Sequence, residues 1–479
     1  MNDHRWGAMA TALRGRAVRY LLPLVAVALI LGAGYRWSLA NPGQLGPREL
    51  AETAARGYLY GYPLVLMDES ARSGQRDVPG SAVNRLQHVR RFPGADFRAV
   101  VRPNLDTLYS LAWLDLAAGP LLLELPPIRG RYYQFPVLDG WSNVVASPGS
   151  RTLGGEAGRF LIAGPGWSGT VPAGATLIAV PTRIAWLLGR IHARGETDFP
   201  AVHALQDTLR LVPATGSAAG PWPAPAAAPA IAGDLPPDRV AALPAFAFFE
   251  RLGVLLEDNP PAPADGVAVA ALAGLGVQPG AGPDPAAYGW LAKRLLARGV
   301  EVVREQLAAA VADRPGGATG WRLAVDGMGR YGMDYRLRAG VALIGFGANL
   351  PEDAVYPTAD RDGNGDPLTG GRRYRLRFPP GALPPARAFW SLTVYDGEGY
   401  LLPDVGGRHR LGSSDALQRD ADGGLTLMLQ PEAPKGATRG NWLPLPAAGP
   451  VQLTLRLYEP EDAVLEGRWQ PPPVLPADP

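Results

Sequence analysis

With 479 residues, 47% of them hydrophobic, the chain is too long for one ordinary core and has the material for more than one. Its net charge of +2 gives no support for nucleic-acid binding, which uses clustered basic residues. The absence of cysteine excludes disulfides, thiol catalysis, cysteine-ligated zinc and a lipid anchor on cysteine.

The first forty residues read as an address. Arg5, Arg14, Arg16 and Arg19 precede an apolar run, LLPLVAVALILGAG, at 21–34. Positive charge on that side keeps the end in the cytoplasm and sends the rest across. The run is shorter than the ~20 residues of a membrane span and suits the apolar region of a signal. Ser38-Leu39-Ala40 offers a small-residue cleavage site, whereas Tyr20, Tyr35 and Trp37 bracket the run like interfacial anchors. The expectation for 1–40 is a basic cytoplasmic end plus a signal or anchor helix. The remainder would lie on the periplasmic side of the cell envelope, anchored or released after cleavage.

From Pro47 a helix follows, with Leu50, Ala54, Tyr58 and Leu59 at helical spacing. RPNLDTLYSLAWLDL, at 102–116, places Asn104 and Asp106 in a turn before a strand. Leu111, Trp113 and Asp115 then share one strand face. PLLLELPP, GRYYQFPVLDGWSNVVASPG, RFLIAGPGW and ATLIAVPT are short apolar runs closed by turns, the pattern of a mostly antiparallel sheet. The stretch at 201–212 reads as a helix. These features define an expected N-terminal sheet-and-helix domain at 49–212. A Pro/Ala-rich connection at 213–238 leads to a helical middle at 239–330, whose long helix has its start signal at Asp284-Pro285. From 331 to 470, RYRLRF, AFWSLTVYD, LTLMLQ and VQLTLRLY alternate at period two, as half-buried strands of a jelly-roll-like β-sandwich do. The expected class is α+β.

PNLDTLYSLAWLDL, GRYYQFPVLDGWSNVVASPG, FLIAGPGW and AVHALQD resemble domain-of-unknown-function family 1254. GANLPEDAVYP, AFWSLTVYD, NWLPLP and LRLYEP resemble its usual companion, family 1214. The resemblance implies the same architecture: a sheet-and-helix domain, a helical middle and a jelly-roll-like domain. It also implies a leader, which many relatives carry. It implies no activity, so no catalytic residue is carried over.

The polar groups that could serve a ligand sit in the most distinctive segments. Asn104 is a turn former that caps local amides. Asp106 and Tyr109 pair a carboxylate with a phenol. Tyr132, Tyr133 and Trp141, with Trp167 nearby, crowd one domain together with Asp139 and Asn143, a mixture that suits a sugar or another polar ring. Arg183 and Tyr395 add a cation and a further phenol. In YGMDYRLRA, Tyr331, Asp334, Tyr335 and Arg338 fall on one helical face, with Asp334 and Arg338 at ion-pair spacing. That stripe is expected at the interface between domains. DRDGNGDPLTGG begins like a calcium loop, but Gly371 stands where the bidentate acid belongs, and the segment reads as a turn. No close histidine pair, nucleophile elbow or dinucleotide fingerprint is present, so no metal or cofactor is expected.

Three functions follow. The first is an exported envelope protein that binds a polar small molecule or carbohydrate in a polar-aromatic cleft. The second is a periplasmic hydrolase or lyase using Asp, Tyr and Arg groups. The third is a structural or interaction module. The sequence does not decide between enzyme and binding protein, nor does it set the oligomeric state. Membrane contact is expected only through an uncleaved N-terminal helix.

Overall fold

The helix Pro47–Asp77 opens with proline at its first turn, where the missing N–H costs nothing and φ is preset. Its middle, 57–69, is buried on nearly every side, through residues such as Tyr58, Leu64 and Met67, as a helix inside a large core must be, while Arg48, Glu49 and Glu52 near its start are exposed. The computed structural model describes residues 27–29, 31–77, 82–214, 235–312, 317, 319–403 and 405–477. Residues 21–26 and 30 of the apolar run lie outside them, as do 215–234 of the Pro/Ala-rich connection. Residues 31–38 are helical and almost wholly exposed. Among the described residues no helix is long and apolar enough to cross a membrane.

The helix Trp290–Ala312 packs along Pro47–Asp77. A Cβ at Gly299 would stand 2.2 Å from the Ala51 carbonyl oxygen, so this close approach requires glycine. Ala245–Leu256, Gly266–Gly274 and Tyr335–Gly345 complete the helical layer. The layer shares one core with Trp113, Leu138 and Leu188 of the sheet beneath it.

That sheet is antiparallel. Its order runs Gln87–His88, Thr107–Asp115, Ile184–His192, Val137–Asp139, Val144–Ala146, with Tyr133–Gln134 also pairing on Ile184–His192. Leu108, Ala112 and Leu114 point to the opposite face, where a four-stranded sheet covers them. The alternation in TLYSLAWLD therefore serves two cores, one per face. Trp113 and Trp186 stack across the pair at 4.6 Å, a contact that adds ~0.5–1.5 kcal/mol beyond burial. The helix expected at 201–212 ends at Thr208. Arg210–Pro213 is a strand instead, because it can pair with Leu121–Leu125 and close the edge of the smaller sheet.

The C-terminal part is two sheets packed face to face. In the larger, Ala386–Asp396 and Val451–Pro460 form the central antiparallel pair, flanked by Arg410–Gly412 and two short strands. The smaller joins Val474–Pro476, Tyr374–Phe378 and Leu425–Gln430 antiparallel, and adds Trp442–Pro444 in parallel. Trp390, Leu392, Val394, Leu453, Leu455 and Leu457 meet Leu376, Phe378 and Leu427 in the core between them. The fold is thus α+β with largely antiparallel sheets.

Candidate functional site

Period-two alternation gives the central strands of the larger C-terminal sheet a second face. It carries Phe389, Ser391, Thr393 and Tyr395 on one strand and Gln452, Thr454, Arg456 and Tyr458 on the other. Such a face reads as solvent-facing. Here the N-terminal part covers it, and both strands are buried on both sides. The polar groups consequently need partners within the protein.

The 102–106 turn supplies them. Asn104 Oδ1 accepts the backbone N–H of Asp106 at 2.7 Å and of Thr107 at 3.1 Å, which launches the strand at Thr107. Asn104 Nδ2 donates to the Tyr458 hydroxyl at 3.0 Å. Asp106 is 0% exposed. Its Oδ2 accepts from Ser391 Oγ at 2.6 Å and from the Tyr458 hydroxyl at 3.0 Å. Arg410 Nε lies 2.8 Å from Oδ1, an ion pair rather than an aligned hydrogen bond. Burial raises the carboxyl pKa, but Arg410 and Arg456, with the Ser391 and Tyr458 hydrogen bonds, outweigh it, and the net shift is downward. Arg456 donates to Thr393 Oγ1, the Tyr395 hydroxyl and the Arg102 carbonyl, and Tyr395 donates to the Pro103 carbonyl at 2.7 Å. Asn104, Asp106 and Tyr395 therefore meet in one layer between the two halves of the molecule.

Tyr109 and Tyr132 flank this layer. Arg190 lies 5.2 Å over the Tyr109 ring and donates to Asn349 Oδ1 at 2.6 Å, and Asn349 in turn donates to the Tyr356 hydroxyl. Tyr132 packs edge-on against Tyr458 at 5.0 Å.

The other expected residues lie elsewhere. Asp139 Oδ1 caps its own turn by accepting the N–H groups of Trp141 and Asn143, both at 2.9 Å. Burial pushes its carboxyl up to about 6, against the hydrogen bonds from Asn143 and the turn. Trp141 and Tyr335, with Tyr60, surround the Arg338 guanidinium at 5.1–5.3 Å, so the protein's own arginine fills this aromatic cage. The stripe of Tyr335 and Arg338 thus faces the helix Pro47–Asp77 and the 139–143 turn rather than the seam between the halves. Asp334 caps its helix, accepting Leu337 N–H at 2.9 Å, which replaces the expected ion pair with Arg338. Tyr133 is fully buried between the two N-terminal sheets. Arg183 bridges Asp115 and Asp258 and ties the sheet to the end of a helix. In DRDGNGDPLTGG, Asp362 Oδ1 accepts the N–H groups of Asn364 and Asp366 and closes the turn.

Two clefts border the interdomain layer. One, of about 560 Å³, lies between the halves and is lined by Tyr132, His192, Phe389, Ser150 and Glu459 among others. His192 stacks on Phe389 at 3.7 Å, and burial lowers its pKa to about 4, so it is neutral at pH 7. The other, of about 840 Å³, is lined by residues of the 321–328 segment, of 344–358 and of 464–471, together with Arg102. Leu323, Val325, Met328, Ile344 and Leu465 give it apolar lining, while Arg102, Arg322, Asn349 and Tyr356 add polar groups. The Thr319 hydroxyl lines it, buried and without a hydrogen-bond partner. Sequence reasoning missed this cleft, although Arg102, Asn349 and Tyr356 all belong to its quoted segments.

Residues 83–213 match the family described as protein of unknown function (DUF1254), and residues 353–462 match protein of unknown function (DUF1214). No curated protein matches the chain. Among solved structures, the VPA0106 protein from Vibrio parahaemolyticus is similar at a TM-score of 0.67 and 24% identity, covering 90% of this chain and 100% of that one. That likeness shows the fold. An uncharacterized protein from Burkholderia cenocepacia reaches a TM-score of 0.44 at 12% identity, covering 90% of this chain and 94% of its own.

Proposed function

We propose that this chain, which carries a DUF1254 domain followed by a DUF1214 domain, is an exported cell-envelope protein that binds a polar small molecule. The binding place is the cleft of about 840 Å³ lined in part by Arg102. One observation carries the reading. The cleft combines apolar lining residues with a few polar groups, within the ~300–1,000 Å³ typical of small-molecule sites. The buried layer of Asn104, Asp106, Tyr395, Arg456 and Tyr458 then acts as the support that fixes the Arg102 turn beside it. A carbohydrate has less to stack on, because Tyr132, Tyr133 and Trp141 are buried. A hydrolase or lyase built on Asp106 would need to reach a carboxylate that is enclosed and engaged on both oxygens. Export rests on the arginines and apolar run of 1–40.

Exposing the full-length protein to a metabolite mixture and identifying retained compounds by mass spectrometry tests the binding. Retention by the wild type and loss in Ala348→Trp, which fills the cleft, is the expected result. Equal retention by both proteins overturns it. Fractionation with and without residues 1–40 tests the export, with deletion expected to leave the protein in the cytoplasm.

A further inference from the structure

We infer that the ligand of this cleft carries a carboxylate on an apolar body, and that Arg102 receives the carboxylate. The inference rests on the cleft being the binding site and adds the chemical class of its occupant.

Arg102 is anomalous in two ways. Its backbone has φ +50°, in the left-handed region that favours glycine, yet the position holds a long cationic side chain. The conformation is fixed from both sides: its N–H donates to Gly399 O at 2.7 Å, and its carbonyl accepts from Arg456 at 2.9 Å. A non-glycine residue held this way is strained, and such strain concentrates at functional sites.

The charge around it is also unbalanced. Arg102 Nη2 donates to the Gln452 amide oxygen at 2.6 Å, while its Nε is buried without a partner. No carboxylate among the described residues pairs with it. Asp360 is engaged by Arg322 at 2.8 Å, and Asp106 by Arg410 at 2.8 Å. Burial, with the like charges of Arg322 and Arg456, lowers its pKa and outweighs the opposing pull of Tyr395 and Asp360. The two acids lining the cleft, Asp326 and Glu466, are both exposed, and Glu466 is paired with Arg468. A guanidinium left without a counter-charge in a partly dry cleft favours an incoming anion. Its fork of N–H donors matches a carboxylate. Leu323, Val325, Met328, Ile344 and Leu465 line the same cleft and carry no hydrogen-bonding side-chain groups, so they suit an alkyl or aryl body on that ligand.

The test is calorimetric titration of the full-length protein with octanoate and octanamide, and with 3-phenylpropanoate and 3-phenylpropanamide. Each acid should bind at least tenfold tighter than its amide. Arg102→Gln should remove that preference, and Arg102→Lys should keep part of it. Equal binding of acids and amides by the wild type, lost in Ala348→Trp, overturns the inference and leaves the cleft reading standing. Binding of neither acid nor amide overturns both. Should Arg102→Gln fail to fold by its melting curve, the wild-type acid–amide ratio and its decline with added salt decide alone.

Discussion

Asp106 and Asp139 are two buried carboxylates of the N-terminal half with opposite electrostatics. Asp106 lies against the C-terminal sheet, where Arg410 and Arg456 hold its pKa below the usual value. Asp139 lies against the helical layer, where hydrogen bonds from Asn143 and the turn fall short of its desolvation and its pKa rises to about 6. Neither burial nor hydrogen bonding alone separates them; a close guanidinium does. The seam between the halves is therefore held by compensated charge, and the 139–143 turn by a carboxyl that is easily neutral.

The strongest way to break this contrast is Asp106→Asn. It strands Arg410 and Arg456 in the seam, and urea unfolding should show a loss of ~3–5 kcal/mol. A loss below ~1 kcal/mol would mean that the seam does not depend on the charge. Because the Asp106 pKa is lowered on folding, its contribution is present above the unfolded carboxyl pKa and is lost as pH falls through the folded one.

Asp139 has the reverse sign. Its folded pKa of about 6 exceeds the ordinary carboxyl value of 3.8, so between the two the folded state holds a proton that the unfolded state has released. Stability should fall by on the order of 3 kcal/mol as pH rises from 4 to above 6. Asp139→Asn should flatten that slope in melting curves recorded across this window; an unchanged slope removes Asp139 from the account. Tyr458→Phe deletes one hydrogen bond to Asp106 and one from Asn104 and should cost ~1–2 kcal/mol in the same urea assay. Asp258→Ala, at the half-exposed end of the Arg183 bridge, should cost only ~0.2–1 kcal/mol, since Asp115 keeps two contacts with Arg183.

The strands were readable because alternation shows which residues share a face. What covers the face was not readable. Ser391, Arg456 and Tyr458 look like the watered side of AFWSLTVYD and VQLTLRLY, yet a domain encoded hundreds of positions earlier lies on them. Asn104 acts over two and three residues, and its turn could be read locally. Asp106 meets Ser391 and Tyr458 at separations of 285 and 352 residues, beyond any local signal. The aromatic block looked like one cluster because its members are close in sequence. Successive strand and turn positions sent Tyr132 to the seam, Tyr133 to the inter-sheet core and Trp141 to the Arg338 cage. Arg102 needed coordinates, because its left-handed backbone and missing counter-charge leave no trace in composition.

The glycine that lets Trp290–Ala312 lie against Ala51 carries a consequence for biosynthesis. The earliest large helix of the body leaves the ribosome long before the segment that shields it. At ~5–20 residues per second, its tyrosines and leucines stay open for roughly tens of seconds. A nascent chain halted before residue 290 would present that oily cylinder to chaperones instead of burying it.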